Sequence, residues 1–297
     1  MEDAAPYPRA RQVVILALVV LPLMQLVLLP LLEMLPAHLS LSIAELFLLG
    51  IAVFVIRRRR WAMEDLFLLN ATHGRGLLIV IPTAIAAGLL AGEADLHVAR
   101  IWEWAGWASP LMLRRSMLEI QLITDMAHIV PTIVAIGLLP AICEETFFRG
   151  FVYTGLRFHH GPRVALIGSS MLFAVAHLNP WQMPAFFLLG LFLGWLVHRT
   201  HSIYPAILAH ALNNLLSVLA VNLRAHLGID LLGALEPVAS PVRMACLVVL
   251  VLGILLLRRW PPLMPALSPF AFSRWTSRLG ETQEAQKKRP PPVGEGR

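Results

Sequence analysis

Six residues set the chemical question in this sequence: Glu144, Glu145, Arg149, His177, His210 and Asn214. All lie in or beside long apolar runs, where an ionisable side chain costs roughly 2.5–3.5 kcal/mol on insertion scales, so each needs a reason to be there. Glu145 and Arg149 are four positions apart and share a helix face, with Glu N-terminal to Arg, the favourable order for an ion pair. Glu144 points about 100° round the same helix and has no basic residue three or four positions away, which leaves it the carboxylate free for general-base chemistry. Phe173 and His177 are again four apart, as are His210 and Asn214, so each pair presents one face. Polar glue between helices explains any single pair; three such groups on separate apolar runs point to one shared site. Glu45, alone in its run, and Glu33 and His128, near the ends of theirs, are read as structural or snorkelling residues.

The elements that must position these residues are membrane helices. Of 297 residues only 14% are charged and 58% are hydrophobic, with a mean hydropathy of +0.71. A soluble domain carries about a quarter charged residues, so soluble enzymes, disordered chains and disulfide scaffolds are excluded. Cys143 and Cys246 fall in apolar stretches and read as packing residues. Apolar runs near Val13–Leu32, Leu39–Ile56, Gly76–Gly92, Met126–Phe148, Val164–Leu178, Met183–Val197, Ile203–Val221 and Val242–Leu257 predict an all-α polytopic bundle of about eight transmembrane helices. Nineteen Lys and Arg fall in the segments on the side of the termini and five on the other, which places both termini in the cytoplasm. The +6 net charge is thereby explained by topology, and no nucleic-acid partner is expected. The chain divides into three N-terminal spans with an interfacial outer segment (1–125), a four-span core (126–223), an outer loop with the last span (224–260) and a basic, Pro-rich disordered tail (261–297). Trp102, Trp104 and Trp107 in the outer segment read as lipid-surface anchors.

Depth decides whether the polar residues can meet. The turn signal His159-His160-Gly161-Pro162 folds the fourth and fifth spans into an antiparallel hairpin, and the midpoint between positions 144 and 177 falls between His160 and Gly161. Glu144 and His177 therefore come level, about 24 Å from the turn. His210 lies only about 10 Å beyond the inner end of its span. The depths agree if the hairpin projects into the cytoplasm, which places a cavity in the cytoplasmic half of the membrane.

The order Glu144-Glu145-Thr146-Phe147-Phe148-Arg149 (EExxxR), Phe173 to His177 (FxxxH) and His210 to Asn214 (HxxxN) resembles the CAAX protease and bacteriocin-processing enzyme family, intramembrane endopeptidases that include the type II CAAX prenyl proteases. Each motif alone is weak; three in order on separate spans are specific. The resemblance covers about Pro140 to Leu223 and implies a catalytic set of Glu144, His177, His210 and Asn214. Residues matching Glu144 and His177 activate water for attack on the peptide carbonyl, and those matching His210 and Asn214 stabilise the oxyanion. Glu145 and Arg149 would orient Glu144, and Phe173 would be a packing wall beside His177. The implied partners are membrane lipids and a membrane-associated or lipidated protein or peptide. The expected location is a bacterial inner membrane, with the site facing the cytoplasm.

Other readings have their own discriminators. Two glutamates and two histidines suit a zinc site, with Glu144, His177 and His210 as ligands. The expectation is no cofactor, because Asn214 is a poor zinc ligand and a natural oxyanion donor. The sequence has no HExxH, and its five aspartates lie in loops or at span ends, which removes zincin and aspartyl-dyad chemistry. Ser169 and Ser170 read as helix-packing residues, and Gly190 with Gly194 as a close helix contact. A non-catalytic scaffold that holds a partner's transmembrane segment would keep its phenotype in Glu144→Gln.

Overall fold

The computed structural model describes residues 7–72, 74–231 and 237–259; the reading of 261–297 as a disordered tail lies outside the described residues. Within lipid a chain must satisfy its own backbone hydrogen bonds, and the described residues form helices and no strand. Seven of these are long and apolar enough to cross a membrane: α1 (Ala10–Leu31), α2 (Ala37–Arg59), α3 (Gly74–Trp104), a long helix Met126–Ala176, and then Met183–Thr200, Tyr204–His226 and Ser240–Arg259. Between the third and fourth lies α4 (Leu111–Gln121). The long helix is α5, and the last three are α6, α7 and α8. The protein is a multi-pass helical membrane bundle.

Seven helices stand where eight spans are expected, and α5 holds the difference. Its 51 residues would run about 76 Å if straight, more than twice the roughly 30 Å hydrocarbon thickness. It folds back at Gly161, whose φ of 82° and ψ of 172° are open to glycine alone among the residues. Past the turn the legs pack on each other: the rings of Phe148 and Phe173 are 5.4 Å apart, and a Cβ on Gly168 would lie 3.1 Å from Leu156. The level pairing of positions 148 and 173 is the pairing that the turn signal implies. The first leg also departs from α geometry, with π-helical turns at Ile133–Leu138 and Thr146–Val152, wide turns that recur at functional sites.

The two ends of the bundle differ in chemistry. At one end Tyr7 stacks on Phe158, Trp61 meets Phe151, Asn70 Nδ2 donates to the His201 carbonyl at 2.6 Å, and Arg199 donates to the carbonyl of Arg258. The N-terminus, the Arg57–Arg60 run, the α5 turn, the α6–α7 loop and the end of α8 are thus gathered together, as the count of basic residues requires. At the other end Trp181 Nε1 donates to the Trp107 carbonyl at 2.8 Å and Trp102 Nε1 to that of Trp181 at 3.3 Å. Trp102 and Trp107 therefore touch Trp181 while Trp107 stays half-exposed, and Trp104 is 88% exposed.

Candidate active site

The first leg of α5 carries Glu144, Glu145 and Arg149 into the centre of the bundle. Glu145 and Arg149 are fully buried and paired, Arg149 Nη1 donating to Glu145 Oε1 at 2.8 Å. Arg149 Nη2 donates to the Gly190 carbonyl of α6 at 3.1 Å, and its guanidinium lies 4.4 Å over the Phe173 ring, a cation–π contact strengthened by desolvation. Gly190 permits this approach, because a Cβ there would sit 3.1 Å from the Ser170 backbone. The Gly190 and Ser170 packing expected from small residues is present.

The ion pair does more than the spacing implied. Glu145 Oε1 also accepts from His210 Nδ1 at 2.9 Å, so the pair orients His210, a residue of α7, as well as flanking Glu144. With Nδ1 fixed on Glu145, the ring turns its Nε2 to Glu144, 4.0 Å from Oε2. His177 closes the second leg of α5. Its Nδ1 lies 2.8 Å from the Phe173 carbonyl, and a carbonyl can only accept, so Nδ1 carries the hydrogen and Nε2 of the neutral ring keeps its lone pair. Phe173 makes T-shaped contacts with both imidazoles, at 4.9 Å to His177 and 5.7 Å to His210, and Phe186 stacks on His177 at 3.9 Å. Phe173 is therefore the wall shared by both histidines and the carbonyl that sets one of them. Asn214, one turn beyond His210, donates from Nδ2 to the Ile136 carbonyl at 3.1 Å.

Glu45, read as a structural or snorkelling residue, does not snorkel. It is buried at 9% exposure on α2, which packs on the Leu139–Glu145 stretch, and its Oε2, like that of Glu144, has no hydrogen-bond partner. The signal was present in the sequence as a mid-span carboxylate with no basic residue three or four positions away. Glu33 and His128 remain outside the cluster, His128 pairing with Asp125 at 2.9 Å.

Among the described residues, the buried side-chain atoms without a hydrogen-bond partner are Glu45 Oε2, Glu144 Oε2, Glu145 Oε2 and Arg149 Nε. All four belong to this cluster, where unsatisfied polar atoms are expensive unless a ligand uses them. A zinc ion fits these residues poorly: among the described residues no three of the His, Cys, Asp and Glu side chains converge on a common point.

Comparison with known proteins finds a likeness over one segment of the chain. No curated protein and no solved structure matches the chain. Residues 126–216, the stretch holding EExxxR, FxxxH and HxxxN, match the model of the family described as type II CAAX prenyl endopeptidase Rce1-like, so that this segment is similar to an intramembrane CAAX-type protease, as the motifs imply.

Proposed function

We propose that this protein is an intramembrane endopeptidase that hydrolyses a peptide bond of a membrane-associated or lipidated protein or peptide without a metal. The observation that carries this reading is the orientation of the two histidines by non-reacting partners: Glu145 turns His210 Nε2 toward Glu144, and the Phe173 carbonyl leaves His177 Nε2 as an acceptor. Glu144 and His177 Nε2 take a proton from water as its oxygen adds to the carbonyl carbon. The Asn214 amide donates to the oxyanion that forms, as does His210 Nε2 when the ring carries both hydrogens, its Nδ1–H being given to Glu145, and a missing donor in such a site costs about 10²- to 10³-fold in rate. Collapse breaks the C–N bond, and the proton taken from water leaves on the amine. Helical arithmetic sets Glu144 and His177 level across the hairpin, and Glu144 Oε2 has no protein donor of its own. The poor convergence of ligands supports the metal-free form. The reading includes a bacterial inner membrane and a site reached from the cytoplasm, supported by the gathering of basic segments at one end.

The test is a survey of protein termini in native-host membranes, wild type against Glu144→Gln at matched expression. Termini present only with wild type, and still produced after exhaustive chelation, are the expected result. Identical profiles would remove the protease, and activity lost to chelator and restored by Zn²⁺ would remove the metal-free form.

A further inference from the structure

Pro140 is a lesion in the helix that carries the candidate base. In an α-helix the Ile136 carbonyl accepts the N–H of the residue four positions on, and Pro140 has none to give. The π turns before it end at Leu138, with the Leu139 N–H on the Val134 carbonyl. In the α register that follows, the Ile136 carbonyl lacks the donor that position 140 would supply, in a bundle where backbone groups must find partners. The partner it finds is Asn214, whose Nδ2 lies 3.1 Å away.

Two further contacts limit what Asn214 can do. Gly137 adjoins the free carbonyl, and a Cβ there would stand 2.5 Å from Leu215 Cδ2 and 3.0 Å from its Cγ. Gly137 leaves room for the Leu215 side chain of α7 beside this carbonyl. On the other side Asn213 Nδ2 stands 3.5 Å from Asn214 Oδ1, so the amide oxygen is occupied as well. An amide nitrogen carries two hydrogens. One is committed to Ile136, and the plane of the amide then fixes the direction of the other. Asn214 is held as Glu145 holds His210, by a group that itself touches no substrate.

We propose that Pro140, through the Ile136 carbonyl it strands, is the positioning residue of Asn214, and that Gly137 is its accomplice. This rests on Asn214 being an oxyanion donor. Preorganised donors are worth most when they need not reorient as charge develops, and a carbonyl locked in a helix is a rigid anchor. Restoring an N–H at position 140 closes the helix bond and releases the amide.

The test uses the full chain in membranes and an internally quenched peptide spanning a cleavage site found by the termini survey. Asn214→Ala is expected to lower kcat about 10²- to 10³-fold. Pro140→Ala is expected to lower kcat about tenfold or more at unchanged KM, while the unfolding midpoint stays equal or rises because an intrahelical bond is regained. In the double variant Pro140→Ala costs nothing beyond Asn214→Ala, since the two act through one amide. Gly137→Ala, which pushes α7 away from the carbonyl, behaves the same way in its own cycle. Wild-type kcat in Pro140→Ala overturns the inference. So does a loss that multiplies with that of Asn214→Ala, or a midpoint that falls together with kcat, since either marks a structural role alone. If Asn214→Ala itself turns over normally, the oxyanion reading fails instead, whatever Pro140→Ala does.

Discussion

The bundle assembles a glutamate, an arginine and a histidine twice, to opposite ends. Near the Trp-rich end Glu93 Oε1 accepts from Arg243 at 2.8 Å and meets His97 at 3.4 Å, while Oε2 accepts the Val238 N–H at 2.9 Å. Both oxygens are used, and the arginine is 34% exposed. At the centre Glu145 Oε1 takes both Arg149 and His210, its Oε2 and Arg149 Nε have no partner, and the ion pair is fully buried. The first cluster straps a loop to α3 and α8 and reaches solvent for what protein does not supply. The second is sealed and under-satisfied beside Glu144, whose Oε2 is also unpartnered. Identical side chains therefore make a clamp in one place and a candidate catalytic centre in the other, and the difference lies in burial and in which lone pairs are left over.

That comparison can be broken at several points. The largest expected effect is on rate: Glu144→Gln lowers hydrolysis by about 10²- to 10⁴-fold without unfolding the protein, measured with the quenched peptide and a thermal melt. On stability, Arg149→Leu leaves Glu145 buried without its counter-charge and costs about 3–5 kcal/mol, read from unfolding in detergent; a cost under 1 kcal/mol would mean that the central pair is no more than a second strap. Glu45→Leu removes one unsatisfied buried carboxyl, a group whose burial costs about 1–3 kcal/mol. It should therefore leave stability equal or higher and still slow hydrolysis, because the site loses the buried carboxyl that α2 packs against the Leu139–Glu145 stretch. If rate and stability fall together, Glu45 belongs to the packing and not to the site. Arg243→Met in the half-open cluster costs at most about 1 kcal/mol.

The smallest effect concerns pH. His201, in the loop at the basic end, has its pKa pushed down to about 4 by burial and then by Arg157, His198 and Arg199. It stays neutral in the fold and titrates near 6.5 once unfolded. A folded pKa below the unfolded one gives stability that is present above about pH 6.5 and lost as pH falls toward 4. The unfolding midpoint should drop across that window, and His201→Asn, which tolerates the residue's φ of 53°, should flatten the drop. An unchanged slope would mean that other groups set the acid limb.

The helix content, the hairpin turn, the three motifs and the Glu145–Arg149 pair were legible because each depends on residues close in sequence or on a repeating pattern. Apolar runs of about 20 residues force helices in lipid whatever surrounds them. A glycine before a proline forces a break, and four-residue spacing puts side chains on one face. The number of continuous helices was less legible, since α5 keeps hydrogen bonding almost up to its turn and so joins two spans into one run. The partners of the Trp cluster were not legible for another reason. Composition shows that indoles suit an interface, yet the contact with Trp181 joins residues some 74 positions apart.

By itself the sequence determined which ionisable residues enter the apolar runs and which helix face each occupies, because those follow from composition and local covalent geometry. The tertiary structure alone decided what each lone pair does: that Glu145 holds His210, that Glu45 and Glu144 each keep an unpartnered oxygen, that Phe173 offers its carbonyl to His177, and that the Ile136 carbonyl takes the Asn214 amide. Hydrogen bonds act over about 3 Å, and the partners here come from helices whose neighbours are fixed only when the whole bundle packs.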